Sequence, residues 1–196
     1  KLRNYLDVPH DKFLLLLPGR LTYWKGQKLF IEAINLLKSQ NKFNDCFALI
    51  VGSDQGRKKY KNELIDLVNK YNLNNFVKIA HSINKIPVAY SISNLVISSS
   101  IEPEAFGRVS VEAQSMEKPI LASNIGGSTE TIIPEKTGWL FKSESPSELA
   151  NSIEMIKKMD KKILDSVGRQ GRKNVLDNYS KDTMCSKTLE IYESLV

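Results

Sequence analysis

The chain is 196 residues long, 41% hydrophobic and 26% charged. That is globular composition, enough for one α/β domain or two very small ones, and it excludes a disordered or collagen-like chain. With 28 basic against 22 acidic residues the formal net charge is +6, which suits an anionic ligand, a nucleic acid or an acidic membrane surface without choosing among them.

The start, KLRNYLDVPHDK, is polar and lacks an apolar stretch, so no signal peptide is expected, and Lys1 in place of an initiator Met suggests a processed or partial chain. No apolar run approaches the ~18 residues that span a bilayer. Cys46 and Cys185 lie far apart within apolar patterns and are expected as reduced core or interface thiols. Beside them stand only His10 and His81, with no CxxC or HExxH spacing, so a structural zinc site is excluded. The lysines are scattered and lack the interleaved aromatics of a base-stacking platform, which makes nucleic acid a poor partner.

Six short apolar runs follow one another: Phe13–Leu17, Cys46–Val51, Phe76–Ala80, Leu95–Ser98, Pro119–Ser123 and Gly138–Phe141. Most are nearly continuous rather than alternating, as strands buried on both faces are. Between them apolar residues step by three or four: Phe30, Ala33, Ile34 and Leu37, then Leu64, Leu67, Val68 and Tyr71, then Val109, Ala113 and Met116 with Glu112 among them. After Phe141 the segments Pro146–Lys158, Lys161–Tyr179 and Lys181–Val196 read as three helices, with Ser145 and Ser180 as N-caps. The predicted fold is therefore α/β in a single domain: a doubly wound, six-stranded parallel sheet with helices on both faces and a C-terminal helical extension.

In such sheets ligands lie beyond the carboxyl ends of the strands. The loops there read PGRLTYWKG, GSDQG, HSINKIP, SSIEPEAFGRVSVEA and NIGGSTET. In the fourth, a helix is expected to begin near Gly107. Its free N–H groups and dipole suit a phosphate, Gly107 admits close approach, and Phe106 walls the pocket. A carboxylate beside a phosphate is repelled, so Glu104 and Glu112 are expected to face polyol hydroxyls, Glu104 on a donor sugar and Glu112 on a ribose. The plainer alternatives are a helix N-terminal charge at Glu104 and a solvated helix residue at Glu112. A glycosidase pair fits poorly, because eight helical residues span ~12 Å and hydrolytic carboxylates sit ~5–9.5 Å apart. In the first loop, Arg20 and Lys25 flanked by the compliant Gly19 and Gly26 suit a diphosphate leaving group, or else form an ordinary surface turn.

GRLTYWKG, EPEAFGRVSVEAQSMEKPILAS, GGSTETI and TGWLF, in that order, resemble the C-terminal half of a family 4 (group 1) retaining glycosyltransferase of GT-B fold, with Glu104 and Glu112 at the spacing of its E-x7-E motif. The resemblance covers about Phe13 to Lys158 and implies a Rossmann-like, donor-binding domain. It assigns Arg20, Lys25 and Glu104 to the chemistry at the donor diphosphate and sugar, with Gly19 beside the basic pair. Glu112 goes to the ribose, the Ala105, Phe106, Gly107, Arg108 and Val109 segment to sugar and phosphate, and Ser82 and Ile83 to the base. It implies a nucleotide-diphosphate sugar as substrate with no metal or other cofactor, retention of configuration, and a glycan or glycolipid acceptor. It also implies an N-terminal domain outside these residues, on which the last helix, striped by Cys185, Thr188, Leu189, Tyr192 and Leu195, returns to pack. The enzyme is expected in the cytoplasm, with peripheral contact at the inner face of the membrane, in polysaccharide or lipopolysaccharide synthesis.

Two positions depart from the family pattern. Glu117 stands where Gly usually ends the motif helix, which touches stability more than chemistry. His81 holds a position often taken by Gly after the third strand and is expected to bond backbone or, failing that, the donor base. The competing functions are a phosphorylase or sugar-phosphate synthase on the same scaffold and a non-catalytic anion-binding module. A nicotinamide dehydrogenase is weak, because no GxGxxG follows any strand.

Overall fold

Each apolar run forms a strand, and all pair in parallel: β1 (Phe13–Pro18), β2 (Cys46–Val51), β3 (Val77–Ala80), β4 (Leu95–Ser98), β5 (Ile120–Ser123) and β6 (Trp139–Phe141). The computed structural model describes residues 2–83 and 86–195. Lys1, the Asn84 and Lys85 of the HSINKIP loop, and the final Val196 of the third C-terminal segment lie outside the described residues. The sheet order is β3-β2-β1-β4-β5-β6, in register from Phe13 opposite Cys46 to Pro18 opposite Val51. Phe76, Pro119 and Gly138 fall one residue outside their strands, a shift of the size expected at element ends.

The continuity of the apolar runs has a direct cause. Leu15 and Leu17 enter one core with α2 (Gln27–Ser39), α3 (Lys58–Lys70) and α7 (Pro146–Lys157). Leu14 and Leu16 enter a second core with α4 (Ile86–Ile92) and α5 (Arg108–Ser115). Successive side chains point to opposite faces, and both faces are covered, so no position along β1 can be polar.

Three short helices have no counterpart in the sequence pattern: α1 (Leu2–Tyr5), α4 and α6 (Ser128–Thr131). A helix of one or two turns displays too few positions to reveal a period. The C-terminal extension comprises α7, α8 (Lys161–Asn178) and α9 (Lys181–Glu193). Ser145 Oγ accepts from Glu148 N at 3.3 Å and Ser180 Oγ from Thr183 N at 3.0 Å, as the N-cap reading requires. Asp160, unanticipated, caps α8 through Lys162 N at 2.7 Å. Helix α8 adds Leu164 and Val167 to the first core, then packs on α5, where Arg172 bonds Ser115 O and Asn174 bonds Gln114. No residue of α9 is buried, and its apolar stripe, Cys185 included, is exposed; only Cys46 is a core thiol. Among the described residues no helix is long and apolar enough to cross a membrane.

Glu117 adopts φ +56° just after α5, with Lys118 N bonded to Ala113 O at 2.9 Å and Glu117 N to Gln114 O at 3.0 Å. This left-handed helix stop favours glycine, and a side chain there costs about 1 kcal/mol. Glu117→Gly should raise stability in urea unfolding by about that amount; an unchanged midpoint would count against strain at this turn. Burial pushes the Cys46 thiol up to about 12 from its ordinary 9.0. A pKa raised by folding contributes stability that is complete below pH 9 and lost as pH rises toward 12. Cys46→Ala should therefore flatten the fall of stability across that window, by at most about 1.4 kcal/mol per pH unit.

Candidate functional site

Strand order reverses at β1, which has β2 on one side and β4 on the other. The loops leaving β1 and β4 diverge to opposite faces there and leave a crevice between them, the place where open α/β sheets hold ligands.

A series of close backbone contacts shapes the crevice. Gly19 N donates to Val51 O and Leu21 N to Ser53 O, each at 2.9 Å, so the first loop continues the sheet past β1. A Cβ on Gly52 would lie 1.7 Å from Gly19 O. The chain then makes a single 3-10 turn, Tyr23–Lys25, and Gly26 at φ +68° redirects it into α2. Gly26 rests on Ser99 at the end of β4, where a Cβ would come within 1.8 Å of Ser99 O. Ile101 N donates to Trp24 O at 2.9 Å and Ser99 Oγ to Gly26 O at 3.0 Å, fastening the two loops together. The β4–α5 loop is backed in turn by Gly126 and Gly127, with Gly127 N bonded to Glu104 O at 2.7 Å.

A cavity of about 590 Å³ results. All twelve residues singled out from sequence line it: Gly19, Arg20, Lys25, Ser82, Ile83, Glu104, Ala105, Phe106, Gly107, Arg108, Val109 and Glu112. Trp24, Gly52, Ser53 and Tyr90 also line it and were not foreseen as site residues. The GGSTET loop behaves differently from its sequence reading. It holds the 104–107 backbone from behind and does not reach the cavity.

The charged groups sort into pairs. Lys25 Nζ bonds Glu104 Oε2 at 2.7 Å, with only 11% and 15% of the two side chains exposed, and Ser100 Oγ donates to the other Glu104 oxygen. Glu112 accepts from Arg108 Nη2 at 3.0 Å and from Tyr90 Oη at 2.9 Å. Burial, and secondarily the charge of Glu112, pushes the Tyr90 phenol above its ordinary range, so it remains a protonated donor. Both motif glutamates are thus held by protein partners before any ligand arrives. Arg20 differs. Among the described residues its guanidinium makes no hydrogen bond or ion pair; it lies over the Trp24 ring, 5.4 Å from the centroid, with Lys25 Nζ 4.6 Å from the same centroid. Gly107, at φ +71°, starts α5, whose first turn has no acidic residue, and among the described residues the Arg108 and Val109 amides meet no acceptor. Phe106 is held edge-on by Tyr179, at 5.8 Å between ring centroids, while Tyr179 Oη bonds Glu130 O at 2.8 Å. His81 does not line the cavity; its Nε2 faces Lys61 Nζ at 3.1 Å rather than backbone. Among the described residues no three His, Cys, Asp or Glu side chains gather as a metal-ligand group.

Chemically, an unspent guanidinium and two free amides across a narrow crevice suit phosphate oxygens, and a half-exposed carboxylate on α5 suits hydroxyls.

The description "Glycosyl transferases group 1" matches residues 1–174. The fold is similar to that of a glycosyltransferase from Rickettsia africae ESF-5, with TM-score 0.91 and 34% identity over 98% of this chain and 50% of that one. It is also similar to Anabaena Alr3699/HepE, crystallised with UDP and glucose and with UDP-glucose, at TM-score 0.89 and 28% identity over 98% of this chain and 51% of that one. Among curated relatives, a D-inositol 3-phosphate glycosyltransferase of Arthrobacter sp. (strain FB24) is 29% identical over 79% of this chain and 36% of its own length. The chain therefore spans about half of each of these two solved structures and 36% of that curated relative.

The Gly26–Ser99 contact yields a paired test. Gly26→Ala should cost about 3 kcal/mol or more, from left-handed strain plus a backbone clash. Gly56, at φ +82° with nothing within 4 Å of a built Cβ, carries strain alone, and Gly56→Ala should cost about 1 kcal/mol. Equal losses in urea unfolding would remove the contact as a constraint.

Proposed function

The chain belongs to the group 1 glycosyl transferases, and on that footing we propose that it is the C-terminal, donor-binding domain of a GT-B enzyme. The complete enzyme would move a hexosyl unit from a nucleotide-diphosphate sugar to a glycan or glycolipid, with retention and without a metal. The observation that carries this reading is the convergence of Arg20, Lys25 and the free amides of α5 on one crevice at the sheet's switch point. An N-terminal domain would close the cleft and recognise the acceptor.

In this reading Arg20 and Lys25 bind the diphosphate, the Arg108 and Val109 amides assist, and Glu112 takes the ribose hydroxyls. Ser82 and Ile83 border the base. Glu104 faces the transferred sugar while holding Lys25 in place. The bond from the anomeric carbon to the diphosphate oxygen breaks, and the acceptor oxygen bonds to the same face of that carbon. The acceptor's proton passes to the departing diphosphate. Negative charge grows on the diphosphate as the bond breaks, so cations fixed beside it bind the transition state more strongly than the substrate. A cytoplasmic enzyme touching an anionic leaflet, in cell-envelope polysaccharide synthesis, is consistent with the +6 net charge.

A panel of UDP-, GDP- and ADP-sugars should raise the thermal midpoint of the chain for at least one base, because a ligand selective for the native state stabilises it. The chain alone should transfer no sugar. Lys25→Ala and Glu104→Ala in the complete enzyme should each lower transfer at least ~100-fold, the scale of a lost transition-state partner. Near-native rates in either variant would refute the site.

A further inference from the structure

Trp24 is a large aromatic that belongs to neither core. It is half-buried at the boundary between the crevice and a second cavity lined by Tyr23, Arg57 and Tyr60. Packing therefore gives no account of it. Its backbone, by contrast, is fixed, since Trp24 O accepts from Ile101 N at 2.9 Å, and the neighbouring Arg20 carbonyl is held by the buried Gln27 at 2.8 Å. The ring is placed by the scaffold, and what lies on it is Arg20 and Lys25.

We propose that Trp24 is the positioning residue for the diphosphate: its π-face holds the Arg20 guanidinium, and secondarily the Lys25 ammonium, at the spacing a diphosphate needs. The proposal rests on the donor-binding reading above and adds a residue to it. Two cations brought together repel, and the negative face of an indole offsets that repulsion without consuming a single N–H donor. Lys25 has a second anchor in Glu104. Arg20 has none among the described residues, so without the ring its long side chain would have to be ordered by the ligand itself, at a loss of affinity. A guanidinium held over the ring spends none of its N–H donors on it, which leaves them available for forked bonds to phosphate oxygens.

The test compares a nucleoside diphosphate with its monophosphate, by calorimetry, on the 196-residue chain, using whichever of UDP, GDP or ADP the wild type binds most tightly. Trp24→Leu keeps apolar bulk and removes the π-face; it should weaken the diphosphate about tenfold while the monophosphate changes less than about threefold, within ordinary context dependence. Trp24→Phe should restore most of the loss, and it guards against a folding defect in the leucine variant. In an Arg20→Met background, Trp24→Leu should add less loss than it does beside Arg20, since only Lys25 remains over the ring, a non-additivity that a merely structural ring would not produce. Equal diphosphate affinity in wild type and Trp24→Leu, a parallel loss for both nucleotides, or full additivity with Arg20→Met would each overturn the assignment. If the wild-type chain binds none of the three diphosphates, the functional reading itself falls and takes this one with it.

Discussion

The contact between Gly26 and Ser99 sets the geometry from which the rest follows. It presses the turn after β1 against the carboxyl end of β4, two segments far apart in sequence and adjacent only because the strand order reverses there. Once Gly26 is seated, Lys25 has little freedom. Its main chain lies beside Ser99 and its side chain meets Glu104. The same seating brings Trp24 O to Ile101 N. A side chain at position 26 would separate the loops, and with them every charged pair that spans the crevice.

The resting electrostatics explain where an anion would enter. Arg20, Lys25 and Arg108 face Glu104 and Glu112 around the cavity, three cations to two carboxylates. Two of the cations are paired, which leaves one positive charge, on Arg20. The α5 dipole adds to it from the opposite wall. A partly buried pair such as Lys25 and Glu104 contributes little to folding, because desolvation offsets most of the attraction. In the donor-binding reading, the pair holds an ammonium at the crevice, within reach of a diphosphate. The lysine can turn toward a phosphate while Ser100 still holds the carboxylate.

Much of this was legible in sequence, and the rest was hidden for definite reasons. The central strands β1 and β2 show because burial on both faces leaves them wholly apolar, whereas the edge strand β3 tolerates the half-buried Lys78. The cavity-lining residues show because their motifs lie where strands end. Tyr90 was not legible. It sits in a seven-residue helix with no visible period, and its bond to Glu112 crosses 22 residues between separate elements. Trp24 was hidden between two basic residues whose charge dominated the reading. Tyr179, which fixes Phe106, reads simply as the end of a helix. The α9 stripe was legible as a pattern, but no pattern states whether it is covered, and here it is exposed.

Glycine is where sequence and structure diverge most instructively, because two unrelated demands select it. One is conformational: Asn41, Asn72 and Glu117 all take positive φ at exposed helix ends, so glycine is favoured there yet dispensable, at a modest cost in strain. The other is spatial. Gly127 has an ordinary helical φ of −59°, which any residue adopts, but a Cβ there would stand 2.5 Å from Phe106 C. A Cβ on Gly52 would likewise stand 1.7 Å from Gly19 O. At these positions the neighbouring atom is backbone and cannot rotate away. Gly26, Gly52 and Gly127 lie under the loops that form the crevice, and Gly168 meets the same demand away from it, where a Cβ would stand 2.2 Å from Glu117 O. Tolerance to substitution should thus follow how closely neighbouring backbone approaches the Cβ position rather than backbone angle alone. A sequence shows only that glycine is present; the packed backbone shows which demand it meets.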